Sequence, residues 1–290
     1  MAIERISEVA DAYTAGRFWT GVMRRSGPVL TANVWADMSY AAGNPVANYY
    51  AASPLTSAAL VGADGIDVGP APASGMKKYI HKLLILPPSG TNIGISEFML
   101  NDVCLFYPFI DGDGGPQDTI ANAVLTRYNG GRGCRVMVVS QGAGIGTSNV
   151  VMTYTNSDGV AGRTCTATLN FAAAPGSLVS CCPANTAYQY PCGPFLPMQN
   201  GDAGVRSIEN VNVLSGAGGI AAFVIVRPLV LAGSYEALTL GVAAPIEVDL
   251  IRDKLHLEEV DTGAYLGVLA RGTTAGAPAI TSAQVTTIWG

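Results

Sequence analysis

The strongest constraint on the fold is a pair of segments, residues 149–156 and 163–171, separated by turn-forming residues. In the second segment apolar and polar side chains alternate, as the sequence RTCTATLNF shows. A period of two gives a strand one apolar and one polar face. The intervening sequence SDG favours a tight turn. We therefore predict a β-hairpin.

Further short segments rich in β-branched and aromatic residues, bounded by Gly and Pro, are also typical of strands. They cover residues 79–86, 99–107, 119–128, 135–140, 206–214, 219–227, 234–241, 246–251, 264–270 and 280–289. This pattern predicts a mainly β chain with an antiparallel β-sandwich or barrel-like body.

Residues 3–15 predict a short N-terminal helix, because apolar side chains recur there at spacings of three and four and Gly16 would end it. A small basic and aromatic cluster follows the helix. Its interface candidates are Arg17, Phe18, Trp19, Arg24 and Arg25. The cluster is interpreted either as an arm that docks on an acidic partner or as an exposed helix end with favourably placed arginines.

Residues 27–76 are rich in Ala, Gly, Pro, Asn and Ser and are nearly uncharged, yet they contain the aromatic residues Trp35, Tyr49 and Tyr50. Disordered linkers are usually rich in charge. We therefore predict an extended arm that lies against another surface, of the same chain or of a neighbour, and Trp35, Tyr49 and Tyr50 join the interface candidates. The predicted division is a helix and arm over 1–75 and a β-rich body over 76–290, with a possible subdivision near 193–205.

Charged residues make up only 13% of the chain, about half the usual share of roughly 25%. The net charge of -5 and the pI near 5.0 exclude a broad nucleic-acid-binding surface. With 49% hydrophobic residues, the chain is not disordered as a whole. Low charge favours surfaces covered by other subunits. A polar, uncharged surface of Ser, Thr, Asn and Gln is the alternative.

Neither a targeting peptide nor a membrane span is expected. Charged residues interrupt the first residues, MAIERISEVA, as they would not in a signal peptide. The most apolar stretch, residues 217–231, is interrupted by Arg227 and Pro228 and is shorter than the roughly 20 residues that a spanning helix needs. We expect synthesis in a cytoplasm and no membrane partner.

No motif predicts catalysis or a cofactor. The chain has two histidines, His81 and His256, and no Gly-x-Ser-x-Gly sequence for a nucleophilic serine. Both histidines are interpreted as structural. The glycine-rich segment 141–147 follows a strand pattern but leads into another strand rather than a helix, so we predict a flexible hairpin connection instead of a dinucleotide-binding loop.

The segment DGDGGPQD contains Asp111, Asp113 and Asp118, which could offer oxygen ligands to calcium. An EF-hand loop, however, requires glycine and glutamate where this chain has Pro116 and Asn122. A solvated acidic loop is the favoured interpretation.

Three of the six cysteines, Cys181, Cys182 and Cys192, lie close together. Adjacent cysteines without a nearby histidine do not match the usual spacing of structural zinc ligands. Free buried thiols are the default in a cytosolic protein. A disulfide among these three stays open for a particle that leaves the cell.

Several features together resemble virion structural proteins of tailed bacteriophages, especially capsid auxiliary, decoration or cement proteins. They are the start without a leader, the arm of residues 27–75, the strand-rich body and the Thr- and Ala-rich end TTAGAPAITSAQVTTIWG. The resemblance implies a non-enzymatic virion protein without cofactors or direct nucleic-acid contacts. It implies binding to the major capsid protein or other virion proteins on the outside of the head, often as a homotrimer or other homo-oligomer, after assembly in the host cytoplasm.

Two alternatives come from other classes. A tail, tube or fibre component for host-surface attachment would present a polar loop face lined with aromatic residues. A carbohydrate-active β-sandwich enzyme would hold two carboxylates at catalytic separation in a cleft.

Overall fold

The described part of the chain is mainly β, with 51% of its residues in strands and 10% in helices. The computed structural model describes residues 3–26, 31–86, 96–120, 122–180, 193–234, 245–254, 256–272 and 280–290. The N-terminal helix is α1 (Ile6–Thr14), which buries Val9 and Ala12. The strands are β1 (Phe18–Ser26), β2 (Trp35–Asp37), β3 (Gly43–Asn44), β4 (Lys78–Leu86), β5 (Ser96–Asp111), β6 (Gly115–Asp118), β7 (Arg135–Gly142), β8 (Thr147–Asn156), β9 (Arg163–Asn170), β10 (Val205–Val213), β11 (Ile220–Ser234), β12 (Ile246–Asp249), β13 (Glu258–Glu259), β14 (Tyr265–Gly272) and β15 (Ile280–Trp289).

These strands form three sheets, and the pairs between them are antiparallel. The front sheet has the order β12-β4-β15-β1-β3, with β13 also on β4. The central sheet has the order β2-β14-β5-β11-β7, and the end sheet the order β6-β10-β8-β9. No sheet of the described chain closes into a barrel. The predicted antiparallel, sandwich-like fold is therefore confirmed.

The central sheet contributes to two cores because β5 and β11 are long enough to span both. One core lies between the front and central sheets and contains Leu83 and Val285 together with Leu100. The other lies between the end and central sheets and contains Met152 together with Phe223. Three shifts in the pairing register of β5 with β11 accompany this double use of the two strands.

The arm supplies the edge strand β2 of the central sheet, and part of it packs on the opposite face of that sheet. Trp35 and Tyr50 pack there with Phe106 and Val224, and all four are buried. Backbone hydrogen bonds of 2.8 and 2.9 Å also join Ala58 to Phe106. The surface under the arm thus belongs to the same chain, which the sequence left open. How residues 1–75 and 76–290 divide into domains stays a prediction.

The predicted hairpin is confirmed, since β8 and β9 pair antiparallel from Thr147 with Asn170 to Tyr154 with Arg163. In contrast, three of the expectations drawn from the sequence are wrong. Residues 18–26 form a strand rather than an exposed helix end. The described residues of 119–128 form no strand. The segment 141–147 joins the central sheet to the end sheet and is not a hairpin connection. Residues 235–241 of the predicted strand 234–241 lie outside the described residues.

Candidate assembly surface

The predicted interface residues divide into a buried and an exposed group. Arg25, Trp35 and Tyr50 are buried inside the chain. Phe18, Trp19 and Tyr49 expose 42%, 41% and 53% of their area. Arg24 is exposed and Arg17 half-buried. The residues that can meet another molecule are therefore the exposed group, and their role as an interface stays a prediction.

Arg25 holds the arm from the inside. Its guanidinium donates to the carbonyl oxygens of Ser39, Ala41 and Val46 at 3.0, 2.7 and 2.9 Å. Burial lowers the pKa of Arg25. The three carbonyl acceptors meet much of the hydrogen-bonding demand of this buried cation, so Arg25 fixes the path of residues 39–46 beside β1.

A second set of buried hydrogen bonds, to Asp37, also holds the arm in place. The Tyr50 hydroxyl and the Ser39 hydroxyl and N–H donate to the carboxylate of Asp37. Burial raises the pKa of Asp37, although these hydrogen bonds act in the opposite direction. Tyr50 thus holds the arm in place through a hydrogen bond within the same chain.

In the described residues, the side of β1 that faces away from β15 is paired over only part of its length. Within the described residues, β1 pairs with β15 along its whole length but with β3 only at Arg24 and Arg25. The stretch from Phe18 to Met23 therefore has a strand on one side only. We call the unpaired side, at Phe18, Thr20 and Val22, the β1 edge.

The β1 edge borders the outer face of the front sheet, where α1 covers only one end. Phe18 lies 5.0 Å from Tyr13 of α1, measured between ring centroids. Beyond the helix, Val22 exposes 55% of its area and Leu86 45%. Between Val22 and Leu86 the sheet presents the polar side chains of Gln284 and Ser282, so the exposed apolar residues here stand on a mixed, uncharged surface within the described part of the chain.

Sequence reasoning missed Thr20 and Val22. The signal was present, because FWTGVMRR alternates side chains that point outward with the buried Gly21, Met23 and Arg25. This period of two was not recognised because Arg25, a charged residue, occupies one of the buried positions. Knowledge of the carbonyl acceptors of Arg25 would have been needed to recognise it.

The histidine environments match structural roles. His81 lies on β4, where its Nδ1 is 2.6 Å from the hydroxyl of Tyr13 and its Nε2 is 3.6 Å from Asp249. The contact with Tyr13 attaches α1 to the front sheet, and the contact with Asp249 joins β4 to β12. His256 is exposed, with its Nε2 2.8 Å from the carboxylate of Glu258.

The two histidines give stability opposite pH dependences. Burial lowers the pKa of His81, so the folded chain favours its neutral form. The stability from neutral His81 is complete above the ordinary histidine pKa of about 6.5 and is lost as pH falls below it. The hydrogen bond to Glu258 raises the pKa of His256, so its contribution is present below about 6.5 and is lost as pH rises.

We expect His81→Gln to flatten the loss of unfolding free energy between pH 7 and pH 5.5, because it removes the group whose protonation opposes folding. The measurement is urea unfolding at a series of pH values. His256→Gln is the matched variant of opposite sign and should steepen the loss. Identical slopes for the wild type and His81→Gln would contradict the assignment.

The three aspartates that were weighed as calcium ligands, in a segment interpreted as a solvated acidic loop, accept hydrogen bonds from groups of the same chain. Asp111 accepts the N–H of Asp113 at 2.9 Å, and Asp113 accepts the N–H of Gly218 at 2.8 Å. Asp118 accepts from the side chain of Asn210 at 2.7 Å. Among the described residues, no group of three or more His, Cys, Asp or Glu side chains is arranged to hold a metal ion. These contacts stabilise the loops beside β6.

The glycine-rich segment has a packing role. A Cβ at Gly144 would overlap the carbonyl oxygens of Ala217 and Gly218. Only glycine allows the two loops to approach so closely. Gly144 thus allows the chain to pass from the central sheet to the end sheet.

Cys104, Cys134 and Cys165 are buried free thiols. Burial raises the pKa of Cys165 to about 11. Such a thiol is unreactive at neutral pH because little thiolate forms. The possible disulfide among Cys181, Cys182 and Cys192 lies outside the described residues. No helix in the described part of the chain has the length and apolar character to cross a membrane.

Comparisons with known proteins add little. No family model matches this chain, and no curated protein matches it. It is similar to the VP2 subviral particle of infectious bursal disease virus, with 6% identity, coverage of 93% of this chain and 80% of that chain, and a TM-score of 0.21. It is also similar to the structure of the Gx strain of that virus, with 10% identity, coverage of 93% of this chain and 80% of that chain, and a TM-score of 0.20. These neighbours are viral capsid proteins.

Proposed function

We propose that this chain is a non-enzymatic structural protein of a phage particle. It binds the outside of the capsid as a homo-oligomer and stabilises the capsid through its β body and the exposed residues of its N-terminal part. The observation that carries the proposal is the β1 edge, an uncharged strand edge that includes exposed Phe18 and Val22, in a chain with only 13% charged residues.

Unpaired strand edges favour association with other chains, and natural proteins usually block them with charge, proline or a covering segment. The described part of β1 between Arg17 and Arg24 contains neither charge nor proline. A chain that keeps such an edge is suited to assembly.

A second exposed apolar region lies on the arm. Tyr49 packs edge-on against Tyr40 at 5.0 Å and remains 53% exposed, and Val46 beside it is exposed as well. Exposed aromatic residues on a fixed backbone are typical anchors of protein interfaces. We assign this region to the capsid contact and the β1 edge to contacts between copies.

The test is co-sedimentation of the purified protein with capsids prepared without it. We expect saturable binding of the wild type and a loss of at least about tenfold in affinity for Tyr49→Ala, as for an interface anchor. Val160→Ala is the matched control, because Val160 is similarly exposed but lies at the β8–β9 turn.

Wild-type protein that stays in the supernatant at saturating concentration would overturn the capsid role. Binding to purified tails or to host cells instead would support the attachment function. Equal affinities for Tyr49→Ala and Val160→Ala would remove the arm from the capsid contact.

A further inference from the structure

The backbone of β1 shows which of its groups face the open side. The N–H of Ser26 donates to Ala42 beside β3, whereas the carbonyl of Arg17 accepts from Trp289 at the end of β15. The register of β1 with β15 runs without a shift from Phe18 to Ser26. Since N–H and C=O groups alternate in direction along a strand, even-numbered residues face away from β15. Phe18, Thr20 and Val22 thus present their backbone groups to the open side.

These residues also present their side chains to one surface. Phe18 and Val22 are exposed and Thr20 is half-buried, whereas Gly21 and Met23 between and after them are buried. The β1 edge therefore offers a row of backbone donors and acceptors together with a row of uncharged side chains. A strand that pairs with it must be extended and must carry complementary apolar side chains.

We propose that the occupant of the β1 edge is the β1 edge of a second copy of this chain, paired antiparallel about a two-fold axis at Thr20. This inference rests on the proposed function in so far as that function requires self-association. An isologous interface of this kind uses the same residues on both copies and closes as a dimer.

The axis at Thr20 follows from matching the two edges. Thr20 then lies opposite Thr20 of the second copy, and Phe18 lies opposite its Val22. Each copy uses all three open residues and forms two aromatic–aliphatic pairs, a favourable cross-strand combination. Moving the axis to Gly21 would place Phe18 opposite Arg24, whose edge already pairs with β3. Moving it to Trp19 would leave Val22 opposite Gly16, outside the strand.

Charge complementarity supports the same register. In it, the strand pairing ends where Val22 lies opposite Phe18 of the other copy, because β3 occupies the edge at Arg24, and the Arg24 side chain next to this end lies toward the C-terminal end of α1 of the other copy. The last turn of α1 has no basic residue, and Asp11 on the helix is exposed. Within the described chain, the Arg24 side chain has no hydrogen bond or ion pair. A cation at a helix C-terminus is stabilising, so Arg24 of the second copy adds a cation that the last turn of α1 does not contain.

The decisive test is a cross-link at the axis. In Thr20→Cys the two introduced thiols would lie on a hydrogen-bonded pair with Cα atoms about 5.5 Å apart, within disulfide range. Oxidised glutathione would convert them to an intermolecular disulfide by thiol–disulfide exchange, with two glutathione thiols released. We expect a covalent dimer on a non-reducing gel, and peptide mapping should place the bond at position 20.

Val22→Cys is the matched control. Its two thiols would lie more than about 13 Å apart, because four residues of strand separate them. We expect at least about tenfold less covalent dimer for Val22→Cys and for the wild type, which reports on the native cysteines. Equal cross-linking of all three proteins, or none in Thr20→Cys, would overturn the pairing.

A second measurement does not depend on oxidation. Lysine blocks strand edges, so Val22→Lys should weaken the dimer at least about tenfold in analytical ultracentrifugation. Leu214→Lys is the control, because Leu214 is 56% exposed and lies outside β1. A dimer that survives Val22→Lys refutes this pairing and leaves self-association through another surface intact. A monomeric wild type also refutes it, whereas co-sedimentation with capsids decides the proposed function separately.

Discussion

A chain that begins at Met76 is expected not to fold, although the sequence alone suggests a separable arm. Residues 1–75 supply β1, whose nine residues all pair with β15. They also supply Met23 and Ile66 to the core between the front and central sheets. Each buried side chain of this size contributes roughly 2–5 kcal/mol. Loss of several exceeds a typical total stability of about 5–15 kcal/mol.

The measurement is soluble yield together with urea unfolding followed by circular dichroism. A chain that begins at Arg17 is the control, because it lacks α1 but keeps β1 and the arm. Since α1 buries only Val9 and Ala12, this control should unfold cooperatively with reduced stability. A soluble, cooperatively unfolding chain of residues 76–290 would show that the arm is dispensable.

Arg127→Ala is expected to cost about 3–5 kcal/mol of unfolding free energy, because it leaves a buried carboxylate without its cation. The side chain of Asp102 is fully buried on β5 and accepts from the Arg127 guanidinium at 2.8 and 3.0 Å. The Tyr128 hydroxyl and the Tyr265 N–H also donate to it, at 2.7 and 3.1 Å. Burial raises the pKa of Asp102, and Arg127 opposes that rise.

Urea unfolding at pH 7 measures the loss. The deficit of Arg127→Ala relative to the wild type should shrink as pH falls, because protonation of Asp102 removes the unpaired charge. Arg252→Ala is the matched control, since Arg252 is 61% exposed and pairs with Asp253 at the surface. Exposed pairs contribute about 0–1 kcal/mol. Equal losses in the two variants would show that Arg127 does not stabilise Asp102.

The elements that could be predicted from the sequence are those defined by residues close together in the chain. The β8–β9 hairpin follows from an alternating pattern and a turn between its two halves, so no distant residue is needed to recognise it. The helix α1 is equally local, because its apolar spacing and Gly16 define it. Gly16 has φ 68°, a left-handed conformation that glycine adopts without strain.

Elements that depend on distant partners were not predictable. The β-branched pattern at 119–128 suggests a strand, but Thr119 and Asn122 instead donate to the carbonyl of Ile208. Tyr128 has φ 52° and Asn129 φ 51°, which end any strand there. Likewise, Phe106 and Val224, against which Trp35 and Tyr50 pack, lie more than fifty residues away in the sequence. The low charge of the arm therefore indicated that it is covered, but not what covers it.

The pairing of β1 with β15 also sets the order of events during synthesis. Phe18 leaves the ribosome early but pairs with Ile288, close to the other end of the described chain. At about 5–20 residues per second, the side of β1 that pairs with β15 waits tens of seconds for that partner. During this time the uncharged residues 18–23 of β1 are free to pair with nascent neighbours. Contacts between residues so distant in sequence also slow folding, so yield in the cell should depend on chaperones that shield β1.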